Sequence, residues 1–133
     1  MSFLDVANSD VAIFLNKKES VDELTKGFET DYNQVFNEWY IKSKTDITSQ
    51  LNVIANNLTV QKVNKVRDEI SRRVKECKKL GVWYNERLYS AKKTELVNND
   101  THKLLSRKLQ KDMSEFINRF REEMGDRIKS MGY

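Results

Sequence analysis

The residues best suited to chemistry lie between positions 72 and 89, RRVKECKKLGVWYNERLY. Five of the first eight are Lys or Arg, and Trp83, Tyr84 and Tyr89 follow. That mixture serves contact with a single nucleic-acid strand: cations neutralise phosphates, and each exposed ring gives a base a face to stack on. A solvated helix face that ends in core aromatics has the same composition, so placement decides between the two. Side chains for covalent chemistry are scarce. There is no nucleophile motif, Gly-rich phosphate loop or metal-ligand cluster, and Asp68-Glu69 and Glu122-Glu123 stand about 100° apart on a helix, as solvated carboxylates do.

With one cysteine and one histidine, an intramolecular disulfide and an all-protein His/Cys zinc site are both excluded. Cys77 falls on an apolar arc and reads as an inert core thiol. His102 reads as an exposed residue in the first turn of a helix. The expectation is a chain that works by contact: no enzyme, no metal, no cofactor.

The elements that must position these residues are helical. Charged residues make up 33% and hydrophobic ones 38%, with no proline and four glycines, a composition of long helices. Residues 1–18 are hard to assign by period; the apolar run at 11–15 is expected to be a short core-packing helix. Ser20 and Glu23 have capping-box spacing and open a helix over 20–57. Its stripe is Phe28, Tyr32, Val35, Trp39, Ile47, Leu51, Ile54 and Leu58, with a weak point at residues 43–46 where the helix is expected to bend or break. Thr59 caps a second helix over 59–97, with the stripe Val63, Val66, Ile70, Val74, Cys77, Leu80 or Tyr84, and Leu88. A turn at 98–101, with Thr101 as cap, opens a third over 101–131.

The positive charge is concentrated. Residues 1–58 carry 5 basic and 9 acidic side chains, residues 59–111 carry 15 and 6, and residues 112–133 carry 4 and 5. Such a field bears on partners and not on fold. On the wheel of the second helix, Lys65, Arg72, Lys75 and Lys79 lie opposite the core arc. If the helix continues through Gly81, Trp83 and Arg87 join that side while Tyr84 stays with the core. If Gly81 breaks it, the aromatic group lies on a loop.

Leu105, Leu109, Met113, Phe116, Phe120, Met124 and Ile128 line the third helix, and Leu104 and Ile117 widen the stripe. Roughly 30 residues at 1.5 Å each span about 45 Å, long for one 133-residue chain to bury. Self-association through this stripe is therefore expected. The fold class is all-α: an elongated antiparallel helical hairpin or three-helix bundle in a single domain, built as a homo-oligomer. No window approaches 18 apolar residues and the N-terminus has no cationic n-region, so a cytoplasmic protein with no membrane partner is expected.

Three collinear patches resemble phage recombination mediators of the UvsY type. The central one is Arg72-Arg73-Val74, Lys79-Leu80, Trp83-Tyr84 and Arg87. Upstream, Phe36 and Trp39 with Lys42 and Ile47 are similar to the family's aromatic-x-x-Trp segment. At the end, Asp126, Ile128, Lys129, Ser130, Gly132 and Tyr133 are similar to its Asp-x-Ile-Lys-Ser-x-Gly-aromatic segment. The resemblance implies a ring-forming helical protein that binds single-stranded DNA and helps load a RecA-like recombinase onto strands covered by single-strand-binding protein. It implies DNA contacts at Arg72, Arg73, Lys75, Lys78, Lys79 and Arg87, stacking at Trp83 and Tyr84, and assembly through the C-terminal helix. A second expectation, of another class, is a helical interaction module, such as a phage inhibitor or adaptor, whose basic face meets an acidic protein. A third is a plain structural coiled coil, indifferent to charge reversal between 72 and 79.

Overall fold

The computed structural model describes residues 18–133, with side chains from Glu23 onward. The helix expected at 11–15 lies outside the described residues. The rest is an all-α three-helix bundle: α1 (Lys18–Ile54), α2 (Val60–Lys93) and α3 (Asn99–Ser130), each packed against the other two. Between the two architectures left open by periodicity, the chain adopts the bundle. At 1.5 Å per residue the helices are each roughly 50 Å long.

Long-range contacts fix an up-down-up order. Tyr32 donates to Asp112 at 2.6 Å and Tyr40 donates to Glu123, so α1 and α3 run in the same direction. Phe28 packs on Tyr84 and Arg73 pairs with Asp46, so α2 runs against α1. Phe28, Tyr32, Phe36 and Tyr84 form a ladder of edge-on and tilted rings with centroids 5.2–6.3 Å apart. Edge-to-face geometry suits rings whose faces are negative and whose rims are positive.

Several boundaries differ from the periodic expectation. Helix α1 already includes Lys18, so Ser20 lies inside it and is not its cap. It does not break into a second element at 43–46. Ser43 turns inward and is buried, and Thr45 returns its hydroxyl proton to the Ile41 carbonyl at 2.8 Å. Flanking Tyr40 and Ile47 are both in the core, so packing on either side carries the polar stretch. Helix α2 stops at Lys93, before the expected 97. Glu95 takes a left-handed backbone (φ 60°) and Leu96 N–H reaches back to the Ala91 carbonyl at 2.9 Å, the wrap that ends helices. The cap of α3 is Asn98 and not Thr101: its side-chain oxygen accepts from Thr101 N–H at 2.7 Å. Thr59 caps α2 as expected, accepting from Lys62 N–H at 3.1 Å.

The α3 stripe needs correction. Leu105, Leu109, Met113, Phe120, Met124 and Ile128 are buried within the chain, and Phe116 is half-buried against the same core. Phe120 meets Trp39 at 5.1 Å, and Phe116 meets Phe36 and Tyr40, each at 6.3 Å. The stripe is broad because α3 serves two neighbours, α1 and α2. These residues are therefore not an exposed face for assembly. Among the described residues no helix is long and apolar enough to cross a membrane.

Candidate nucleic-acid interface

Helix α2 runs unbroken through Gly81, which settles where the aromatic residues point. A Cβ at position 81 would stand 2.5 Å from the Met113 sulfur, so glycine is present for the close approach of α2 to α3. With the helix continuous, its wheel applies to its whole length.

Lys65, Lys75, Lys78 and Lys79 are exposed and, among the described residues, make no ion pair. Lys65, Arg72 and Lys79 follow one another at seven-residue intervals. That interval drifts only about 20° around the helix, so the three form a line of cations with a step of roughly 10 Å. The Arg72 side chain is mostly exposed and meets Glu69 at 2.8 Å. A surface pair of this kind is worth roughly 0–1 kcal/mol, so a phosphate can take the place of Glu69.

Trp83 is 38% exposed, and the Arg87 guanidinium lies over its ring at 4.9 Å. The Trp83 and Tyr84 rings stand at right angles with centroids 4.7 Å apart. A ring held on one side by its neighbour and bearing a cation is a preformed place for a base beside a phosphate.

Two expected contacts are corrected. Tyr84 is 2% exposed and sits in the ring ladder of the core, so it has no face to offer a base. Burial, with Asp31 opposite its hydroxyl, pushes its pKa above the usual phenol range. Position 84 shares the arc of Cys77, Gly81 and Leu88, and the arc decides its side. Arg73 is also turned in, its side chain 16% exposed. It bonds Glu69 at 3.1 Å and Asp46 at 2.9 Å, and Trp39 Nε1 donates to its carbonyl at 2.9 Å. Burial opposes its charge, but the two carboxylates outweigh this and raise its pKa. It joins α2 to α1 and is not available to phosphate.

The structure adds cations that periodicity does not single out. Tyr89 is exposed with the Lys93 ammonium 4.9 Å over its ring, and its ring lies 6.3 Å from that of His102 in α3. His102 is held below its usual pKa by burial first and by Lys92 second. Ser106 donates to Asn85 at 3.1 Å, which lays the first half of α3 beside the second half of α2. Lys103, Arg107 and Lys111 are exposed on that half. All three lie within the basic window 59–111, but the turn at 94–98 hides their position from a sequence reading. On its α1 side, by contrast, α2 meets Asp31 and Asp46, and its own Glu69 turns there to hold Arg73. The positive field thus covers the outer and α3-facing sides of α2.

Cys77 is fully buried, and burial pushes its thiol up to about 12. Among the described residues no three His, Cys, Asp or Glu side chains gather in a metal-binding group. Compared with known proteins, the chain matches no family model, no curated protein and no solved structure. Function must be argued from this face.

Proposed function

We propose that this chain binds single-stranded nucleic acid with little sequence preference and acts as a non-catalytic, mediator-like accessory of phage recombination and repair in the host cytoplasm. The observation that carries the reading is the α2 face: four exposed lysines without ion pairs among the described residues, two of them (Lys65 and Lys79) in line with Arg72, on the helix that also carries the partly exposed Trp83. Phosphates held by several such cations release counterions, which gives affinity without base readout. Of the central patch that resembles the UvsY-type pattern, Arg72, Lys79 and Trp83 face solvent, which supports the same reading. A RecA-like recombinase and a single-strand-binding protein are the partners that the resemblance suggests. Any ring of subunits would have to use surfaces other than the α3 stripe.

The test is a titration of labelled single-stranded and duplex DNA at low and moderate salt. Single strands should bind more tightly, with log affinity falling by about 0.7 per phosphate held for each decade of salt. The Arg72→Ala/Lys79→Ala pair should weaken binding at least tenfold. In a Trp39→Phe background Trp83 is the sole tryptophan, and its fluorescence should be quenched by the strand. An absence of binding, or indifference to the double substitution, would sink the reading. A single protein partner recovered after nuclease treatment, with no DNA affinity, would favour the acidic-partner module instead.

A further inference from the structure

A second basic feature lies toward the other end of the α2–α3 seam, on residues outside the α2 face described above. It is a cleft of about 360 Å³ between Arg67 of α2 and Arg121, Gly125 and Lys129 of α3. Three cations line it, with no Asp or Glu side chain among the lining residues. Arg121 and Lys129 make no ion pair among the described residues, and Arg67 is oriented by bonds to Asn64 at 3.1 Å and to the Tyr133 backbone oxygen at 2.9 Å. The floor is apolar, from Ile70 and Ile128, and the partly exposed Tyr133 stands at the rim.

Gly125 supplies an independent observation. Glycine weakens a helix interior by about 1 kcal/mol relative to alanine unless packing demands it. Packing makes no such demand here: a Cβ at 125 would meet nothing within 4 Å, whereas one at Gly81 would strike Met113. The missing side chain at 125 leaves open space at a residue that lines the cleft.

We infer that this cleft is a phosphate-binding subsite that seats one nucleotide unit, its phosphate between Arg67, Arg121 and Lys129 and its base against the Ile70–Ile128 floor. This deepens the single-strand reading and rests on it in naming the strand as occupant. Position 67 lies on the α3 side of α2, 11 residues from Lys78. That is roughly 16 Å along the helix, so one strand of a few nucleotides spans both. A free phosphorylated small molecule presents the same chemistry, and the experiment separates the two sources.

The full chain, labelled with ¹⁵N, is titrated with inorganic phosphate, with thymidine monophosphate and with an oligothymidylate, while amide shifts are followed. In parallel, oligothymidylate affinity is measured for Gly125→Leu, which fills the cleft, and for Arg121→Ala/Lys129→Ala. The expected result is movement of the Ser71, Gly125 and Lys129 amides with monophosphate and oligomer. Each variant should weaken strand binding about tenfold, and in the double variant the salt slope should shrink by about 0.7 for each phosphate no longer held. Retained helicity and thermal midpoint in Gly125→Leu would assign its loss to the cleft and not to unfolding. Strand binding untouched by both variants overturns the cleft and leaves the α2 reading standing. Cleft shifts with monophosphate in a chain that binds no strand would keep the phosphate site, with a small molecule as its ligand, and overturn the strand. No cleft shift with any of the three ligands overturns the inference outright.

Discussion

At the scale of single residues, Gly81 and Gly125, both inside helices, illustrate how the same residue type serves opposite ends. Gly81 is fixed by what it touches: a methyl group there would stand 2.5 Å from the Met113 sulfur. Replacing glycine by alanine in a helix gains about 1 kcal/mol in propensity, while forcing a methyl into a filled core costs typically 1–3 kcal/mol. Gly81→Ala should therefore destabilise by about 1 kcal/mol. In a Met113→Ala background, where the sulfur is gone, the same change should stabilise by about 1 kcal/mol. Urea denaturation of the four chains in this cycle measures the coupling, and additive effects would show that Met113 swings aside without cost. Period and wheel are enough to read Val63, Val66, Val74, Cys77 and Leu88 into the core and Lys65, Lys75 and Lys79 out of it. They cannot read Arg73, whose inward turn depends on Asp46, a residue of another helix. Nor can they read Ser43, whose hydroxyl is buried without a hydrogen-bond partner among the described residues. Such a buried group costs about 1–3 kcal/mol, and no local pattern announces it.

At the scale of elements, the breadth of a stripe tells how many neighbours a helix has, not whether they belong to the same chain. The α3 stripe is wide enough to suggest a partner subunit, yet both of its partners are helices of the same chain. The seam between helices is also out of reach of a sequence reading. Lys103, Arg107 and Lys111 belong to the basic face only because α3 folds back beside α2, in a register pinned by Ser106 and Asn85. The enclosed stripe gives a prediction. Leu109 is fully buried, and truncation of such a side chain removes its transfer energy and leaves a cavity. Leu109→Ala should lower unfolding free energy by about 2–5 kcal/mol. The loss should be the same at micromolar and at hundred-micromolar chain, because no second subunit takes part in burying it. A loss that disappears at high concentration would return the stripe to an assembly role.

At the scale of the whole molecule, buried weak acids set how the bundle responds to alkali. Burial raises the Cys77 thiol from 9.0 to about 12. Burial also raises the Tyr32 phenol, with Asp112 accepting its proton and adding to the shift, and the Tyr84 phenol, with Asp31 adding to that. The starting value for both phenols is 10.0. In each case the folded pKa lies above the unfolded one, so the folded state holds its proton after the unfolded chain has released it. The stabilisation is whole below the unfolded pKa and drains away as pH rises from there toward the folded value. Each group can contribute a slope of up to about 1.4 kcal/mol per pH unit across its window. Deprotonation of Lys108, whose pKa is raised by its bond to Glu29, acts in the same direction. Urea midpoints should therefore be level from pH 7 to about 8.5, decline from about pH 9 as Cys77 comes into play, and fall more steeply above about pH 10. Cys77→Ala should remove the first decline and leave the second, which begins one pH unit higher where the tyrosines take over. A midpoint that stays level to pH 10.5 in the unaltered chain would mean that Cys77, Tyr32 and Tyr84 reach solvent without unfolding.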